Sequence, residues 1–473
     1  MSVKTTKEDI ERGNIVDDVS SEEVKTQDAQ DDEIMARLKA KKARKEAAKE
    51  AAQENTKDVE NARDAQGEGV PPKIVEEKTR SISIGVIGSG QAGSRIAETF
   101  YSLGYDTVVV NTAPQDLKFI KVPESSKLLL DHGLGGAAKD LEIGHSAAET
   151  HRDAINEIVN EKLSHNQMLL FCTSLGGGSG AGSAEVIVDI LSAMECPVVV
   201  VTVLPQSSDD AQTKHNALVT LSKFTKMAQN RVIDNLIVVD NARIESIYAD
   251  VSQLSFFGIS NKAIVDPINA FNSLSAQPSA VKGLDSTEFG KLFTDGQGLT
   301  TYGCMDVPNY EDEDALADAI IDNLDGALLA GGFNLKQTRY AGIIFAAPQR
   351  VWDKIPQSST NYAMSMVNDA CGTPLGVFKG IYTIESNEDV VKVYSMFSGL
   401  GLPQERVDQL QKEAKERMAQ AEAKDENRSL SLNLDDGEED ISEAERIKKR
   451  IKAKKTSKAG FGKLHKKAID RRK

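Results

Sequence analysis

Long apolar runs are missing from this chain. No stretch reaches the roughly 18 uninterrupted apolar residues of a membrane-spanning helix, so no transmembrane segment is expected. The opening residues MSVKTTKEDIERG lack the apolar centre of a secretory signal, and the chain reads as soluble and cytoplasmic. Cysteine is scarce as well. The four cysteines, Cys172, Cys196, Cys304 and Cys371, stand far apart and form no CxxC pair. That spacing argues against a disulfide scaffold or a zinc site, so they read as reduced core thiols and no metal-ligating residues are assigned. Little apolar sequence occurs before Arg80 or after Gln411, and the stretch between is long enough for a large core or two.

What is present divides the chain by texture. Residues 1–80 form a charged N-terminal tail whose run DDEIMARLKAKKARKEAAKEAAQEN (31–55) consists of helix formers with little apolar surface to bury. At the other end, 403–473 reads as a tail that begins helical, crosses the acidic linker LNLDDGEED and ends in a basic tract. Residues 441–473 carry 14 Lys+Arg against 3 acids in a chain whose net charge is -15. A local excess of this kind suggests an interaction tail for a partner protein or a nucleic acid, although many such tails are only solvated ends.

Between the tails, SISIGVIGSG, DTVVVN, MLLFCTS, PVVVVTVLP and NLIVVDN are apolar runs without in/out alternation, separated by polar helical stretches. Strands of that kind belong to a parallel sheet covered on both faces, so 81–298 reads as a doubly wound α/β nucleotide-binding domain. It includes a helical stretch at about 256–274, which reads as a long central helix. After Gly298 the reading continues with a helix (EDEDALADAIIDNL), RYAGIIFAAP, a second helix and FKGIYTI, a smaller α+β domain over 299–402.

Two glycine loops carry the chemistry. Gly88-Ser89-Gly90-Gln91-Ala92-Gly93 follows a strand and opens a helix, where glycines permit close approach of a phosphate to free N–H groups. Alone it could be a tight turn. The second, Gly176-Gly177-Gly178-Ser179-Gly180-Ala181-Gly182-Ser183, also runs from strand to helix; its N–H groups could converge on a polyanion, with the Ser179 and Ser183 hydroxyls as further donors. Neither loop has the lysine of a Walker P-loop, and the second strand ends in Asn111-Thr112-Ala113 rather than the acid a dinucleotide oxidoreductase places there. A nucleotide cradled by backbone amides is the reading that remains.

GGGSGAG (176–182) resembles the signature phosphate loop of the tubulin/FtsZ superfamily. GQAG (90–93) is similar to the first loop of tubulins, and NTAPQDL (111–117) and GLGGAAKDLEIG (133–144) are closer to FtsZ. The resemblance spans about 81–402 and suggests a divergent bacterial or phage-encoded member. It implies GTP/GDP as ligand with Mg2+, head-to-tail self-assembly into filaments, and GTP hydrolysis. By it, Gly88, Gly90, Gln91 and Ala92 would line phosphates and metal; Gly135, Gly136 and Ala137 would sense the terminal phosphate; Gly176 to Gly182 would wrap the diphosphate. Asp209 would contact ribose, Asn241 and Asn261 would read guanine, and Phe257 would stack on it. The spacing of Phe257 and Asn261 puts ring and amide on one helix face; a core Phe beside a surface Asn is the plainer alternative.

GLDSTEF (283–289) resembles the loop that reaches the nucleotide of the next subunit, with Glu288 as main water-activating acid and Asp285 as partner. The same D-x-x-E is also a helix capping box. Four departures stand against the family pattern: Gly283 for Asn, Ala113 for an acid, Arg95 for a glutamine, and Lys262 for a guanine-reading Asp. They leave open a nucleotide-binding structural or adaptor protein with little or no GTPase activity.

Overall fold

A computed structural model describes residues 80–426 apart from 250, 313 and 326–331. The helix-forming run at 31–55 and the basic tract at 441–473 lie outside the described residues. Strand β1 (Ile84–Ser89) runs into α1 (Gly90–Ser102), then β2 (Asp106–Asn111), α2 (Pro114–Phe119) and the short β3 (Lys127–Leu129). Next come α3 (Leu141–Thr150), α4 (Arg152–Leu163), β4 (Met168–Ser174), α5 (Gly178–Ser192), β5 (Val198–Leu204), α6 (Ala211–Gln229) and β6 (Asn235–Asp240). The chain continues through α7 (Asn241–Ile247), the long α8 (Gln253–Leu274), α9 (Ser286–Thr294), β7 (Leu299–Val307), α10 (Ala315–Asp325) and β8 (Tyr340–Ala347). It then forms α11 (Gln349–Trp352), α12 (Gln357–Cys371), β9 (Gly376–Thr383), β10 (Val391–Leu400) and α13 (Gln404–Glu426).

The strands form one sheet in the order β3-β2-β1-β4-β5-β6-β7-β10-β8-β9, mixed α/β as expected. Pairing is parallel throughout except that β10 runs against both β7 and β8. The apolar runs are buried on both sides: Ile87, Phe171 and Val200 point into one core layer, Val86, Leu170 and Val199 into the other. That two-sided burial is why these strands lack alternation.

Two findings differ from the sequence reading. The region after Gly298 begins with a strand, β7, not a helix, and β10 was not anticipated. Its residues join the first region directly, because Leu236 and Ile237 of β6 pair with Leu299 and Thr300. The second difference lies at residue 403, where the tail was expected to start. Instead α13 buries Val407, Leu410 and Ala414, and the compact unit extends to Ala421.

Helix α8 runs from the C-terminal to the N-terminal ends of the central parallel strands. It starts shortly after the C-terminal end of β6, and its last turn meets the residues before β1: Asn272 Oδ1 accepts from the Ile82 amide at 2.9 Å and its Nδ2 donates to the Ile82 carbonyl at 2.9 Å. Twenty-two helical residues span about 33 Å. The chain that follows α8, including 283–289, therefore begins at the strand ends opposite the glycine loops.

Candidate functional site

The strand order reverses between β1 and β4, so the loops after these two strands flank the crevice where open α/β sheets bind ligands. They are the two glycine loops, and they touch. A Cβ on Gly90, which sits at φ +70, would lie 2.8 Å from the Gly180 amide nitrogen; one on Gly180 would lie 3.0 Å from the Ser89 carbonyl. Helix α1 opens at Ser89 and α5 at Gly177, both without a side-chain cap or an acid in the first turn. Their neighbours α3 and α6 are capped by Asp140 and Asp210. Two uncapped, acid-free helix starts brought together leave unpaired N–H groups and two positive dipole ends facing one crevice.

The glycines have a second reason to lack side chains. A Cβ on Gly178 would fall 2.9 Å from Ala137 Cβ and from the amide nitrogens of Lys139 and Asp140, and one on Gly182 would fall 2.6 Å from the Leu141 carbonyl. Gly88 and Gly93 are closed off in the same way, by α1 packing on β1 and β4. Protein–protein packing, rather than a phosphate path alone, dictates these positions. Ser183 is fully buried and hydrogen-bonds Ser89 Oγ at 2.6 Å, so its hydroxyl is not the ligand donor expected of it. Ser179 is partly accessible and pairs with the Thr112 hydroxyl.

The segment 133–140 wraps over the start of α5. Gly133, Gly135 and Gly136 have positive φ, and so do Ala138 (47°) and Lys139 (64°), a conformation uncommon for residues with a side chain. Asn216 holds it there, donating to the Lys139 carbonyl at 2.8 Å and to the Gly176 carbonyl at 3.2 Å. Lys139 pairs with Asp210. Against the burial that would raise it, the Lys139 ammonium and the Thr213 amide and hydroxyl hold the Asp210 carboxyl down at about 2.

On the base side, Phe257 is 42% exposed in the first half of α8, one turn before the partly buried Asn261. The Arg95 guanidinium of α1 lies over its ring, 5.7 Å from the centroid, which links this face to the first glycine loop. Asn241 is partly accessible at the first position of α7. Asp209 has one carboxylate oxygen engaged, accepting from the Gln206 amide at 2.8 Å.

Residues 83–249 match the model of the Tubulin/FtsZ family, GTPase domain. The tubulin-like protein CetZ of Pyrococcus abyssi is 24% identical over 326 residues, covering 67% of this chain and 85% of that protein. The tubulin-like protein TubZ of Bacillus cereus is 22% identical over 392 residues, covering 76% and 89%. Among solved structures, the GTPγS-form protofilament of TubZ from Bacillus thuringiensis serovar israelensis superposes with a TM-score of 0.65 at 21% identity, over 74% of this chain and 96% of that one. By these matches the chain resembles a divergent member of the tubulin/FtsZ superfamily.

The matches give the crevice its context: it lies within the residues that match a GTPase domain, and a structural neighbour, TubZ-Bt, forms filaments. The structure brings together Gly90, Gly176 to Gly182, Ala137 and their contacts, and separately Arg95 and Phe257. It does not bring Asp285 and Glu288 to them. Those acids form a capping box at α9, Asp285 Oδ1 accepting from the Glu288 amide at 2.7 Å and Glu288 Oε2 from the Asp285 amide at 3.2 Å. Tyr382 fixes the loop, its hydroxyl accepting from the Leu284 amide at 2.8 Å and donating to the Leu284 carbonyl at 3.1 Å. Sequence reasoning passed over Thr112, Asn216, Lys139 and Asp210; of these, only the Asp210-x-x-Thr213 cap has a pattern visible before the fold.

Proposed function

We propose that the chain binds GTP in the crevice between β1 and β4, assembles head to tail with copies of itself and hydrolyses GTP in the assembled state. The observation that carries this is the meeting of two uncapped helix N-termini at the reversal of strand order. The amides of Gly90, Gln91 and Ala92 and of Gly177 to Gly180 would take the phosphates, with Gly135, Gly136 and Ala137 closing over the terminal one. Phe257 would stack on the base while Asn241 and Asn261 meet its edge, and Asp209 would meet the ribose. Among the described residues no group of three His, Cys, Asp or Glu side chains could hold a metal by itself. Mg2+ would therefore be held mainly by the nucleotide, with Gln91 as the protein residue beside it, and would supply charge neutralisation there.

Asp285 and Glu288 follow α8, which ends at the strand ends opposite the glycine loops, so they would serve the nucleotide of the next copy and polarise its attacking water. Hydrolysis would then begin on assembly, by positioning and electrostatics. A second reading, a nucleotide-binding structural protein with little turnover, is favoured by one observation: both acids already have a stabilising role in the capping box. Sedimentation with GTP, GDP or ATP and Mg2+, with phosphate release measured on the same samples, tests the proposal. GTP-specific pelleting with phosphate release supports it; pelleting without release supports the structural reading; neither pelleting nor binding overturns both.

A further inference from the structure

Helix α13 bears on residues that the proposed site uses, through a chain of buried charges. Arg406, 8% exposed, donates from Nε to Asp240 Oδ2 at 2.6 Å and from Nη2 to Oδ1 at 3.3 Å. Asp240 is itself 3% exposed and caps α7 through the Ala242 amide, directly before Asn241. About two turns further along α13, Glu413 accepts from Lys214 at 2.5 Å. Lys214 is 1% exposed, and its ammonium also donates to the Ser207 carbonyl at 3.0 Å. Arg417 donates to the Ser207 and Ser208 carbonyls at 2.8 and 3.3 Å. Thus four charged side chains, Asp240, Arg406, Glu413 and Lys214, run from the end of β6 to the loop that carries Asp209.

A well-packed helix needs no such network. Val407, Leu410 and Ala414 already seat α13, and a buried ion pair gains little stability over apolar residues of the same shape. Its geometric effect is specific: removing a charge on α13 leaves Asp240 or Lys214 buried without its partner, and each of these is attached to one ligand loop. Against the burial that would raise it, Lys214 and then Arg406 hold the Glu413 carboxyl below its ordinary value, so that carboxyl stays charged at neutral pH.

We propose that α13 is a positioning strap for the nucleotide: through Asp240 it sets the corner that bears Asn241, and through Lys214 and Arg417 it sets the 205–210 loop that bears Asp209. The inference rests on the GTP-binding reading above. Arg406, Glu413 and Arg417 touch no nucleotide in it; they act through the loops they hold. The strap therefore raises affinity for the nucleoside end of the ligand, and GTP and GDP gain alike because neither loop reaches the terminal phosphate.

The test uses the full chain carrying Glu413→Gln or Arg417→Ala, with Lys412→Ala on the exposed face of α13 as control. Fluorescent GTP and GDP analogues give dissociation constants well below the melting temperature, and hydrogen exchange of 205–210 and 241–247 is followed without nucleotide. Expected are a loss of about fivefold or more in affinity for both nucleotides and faster exchange in those two segments, with the control unchanged. Arg417→Ala removes only a partly exposed side chain, so it keeps the test open if Glu413→Gln folds poorly. Unchanged affinity in both variants, with the parent binding normally, overturns the strap alone, even if the melting temperature falls. A parent that binds neither nucleotide overturns the reading beneath it as well.

Discussion

Glu288 occupies two roles that one substitution can separate. In the structure its carboxylate accepts from the Asp285 amide at 3.2 Å, half of a capping box; in the proposed reaction it polarises water in the site of a neighbouring copy. Glu288→Gln keeps an acceptor oxygen at the same reach, so the cap survives and only the charge is lost. A neutral hydrogen bond contributes about 0.5–1.5 kcal/mol, and weakening rather than losing it should change stability by less than that, under about 2 °C for a body of this size. Loss of the charge should slow phosphate release at least about tenfold, equivalent to about 1.4 kcal/mol of transition-state stabilisation. Glu288→Ala should match it in rate but melt lower, having lost the cap as well.

The assay is phosphate release from pelleted polymer at saturating GTP, alongside a thermal melt of each variant. A Glu288→Gln protein that melts with the parent and turns over at the parent's rate refutes the catalytic role, and the capping box is then the whole explanation of Asp285-x-x-Glu288. The location of the loop adds a second condition. Because α8 carries the chain about 33 Å to the opposite strand ends before 283–289 begins, dilute parent protein that has not assembled should release almost no phosphate. Full turnover by unassembled chains refutes hydrolysis completed by a neighbour.

Much of this architecture is legible before the fold is seen. The five buried parallel strands and both glycine loops follow from runs of Val, Ile and Leu ended by glycine, because a strand buried on both faces must be apolar at every position. The strands β7 and β10 were not legible in the same way. LTTYGCMDV and VKVYSMFSGL mix hydroxyl, charged and small residues, and their pairing is set by partners about 46 or more residues distant, as in Lys392 with Ala346 and with Asp306. For the glycine-rich loop, sequence supplies only part of the reason. Sequence suggests room for phosphate; only the fold shows Gly178 against Ala137 and Gly182 against Leu141. The Asp240–Arg406 and Lys214–Glu413 pairs join residues 166 and 199 positions apart, and nothing local in either partner announces them.

Further tests follow from particular contacts. Gly178→Val should abolish nucleotide binding by displacing 137–140, and circular dichroism with a melting curve should register that disturbance even without nucleotide. Phe257→Ala should weaken GTP by about 1–3 kcal/mol through lost stacking, read by titration of a fluorescent analogue; unchanged affinity would place the base elsewhere. Asp210 has a folded pKa of about 2, below its ordinary 3.8, so its contribution is complete above about pH 4 and is lost as pH falls through 2; the stability gap between the parent and Asp210→Asn should close over that window in acid-denaturation curves. The last test concerns where the body ends. Cutting at 403 removes Leu410, which is fully buried, and strips Asp240 and Lys214 of Arg406 and Glu413. Leaving one member of a buried pair alone costs about 3–5 kcal/mol, and here two are left at once, so a chain ending at 402 should fail to fold or melt far below the parent. Cutting after 426 removes none of these contacts. That shorter chain should melt with the parent and still pellet with GTP, while any partner held by the basic tract at 441–473 no longer pellets with it. If the chain ending at 402 pellets as well as the one ending at 426, the buried pairs do not hold the body together and α13 is an accessory after all.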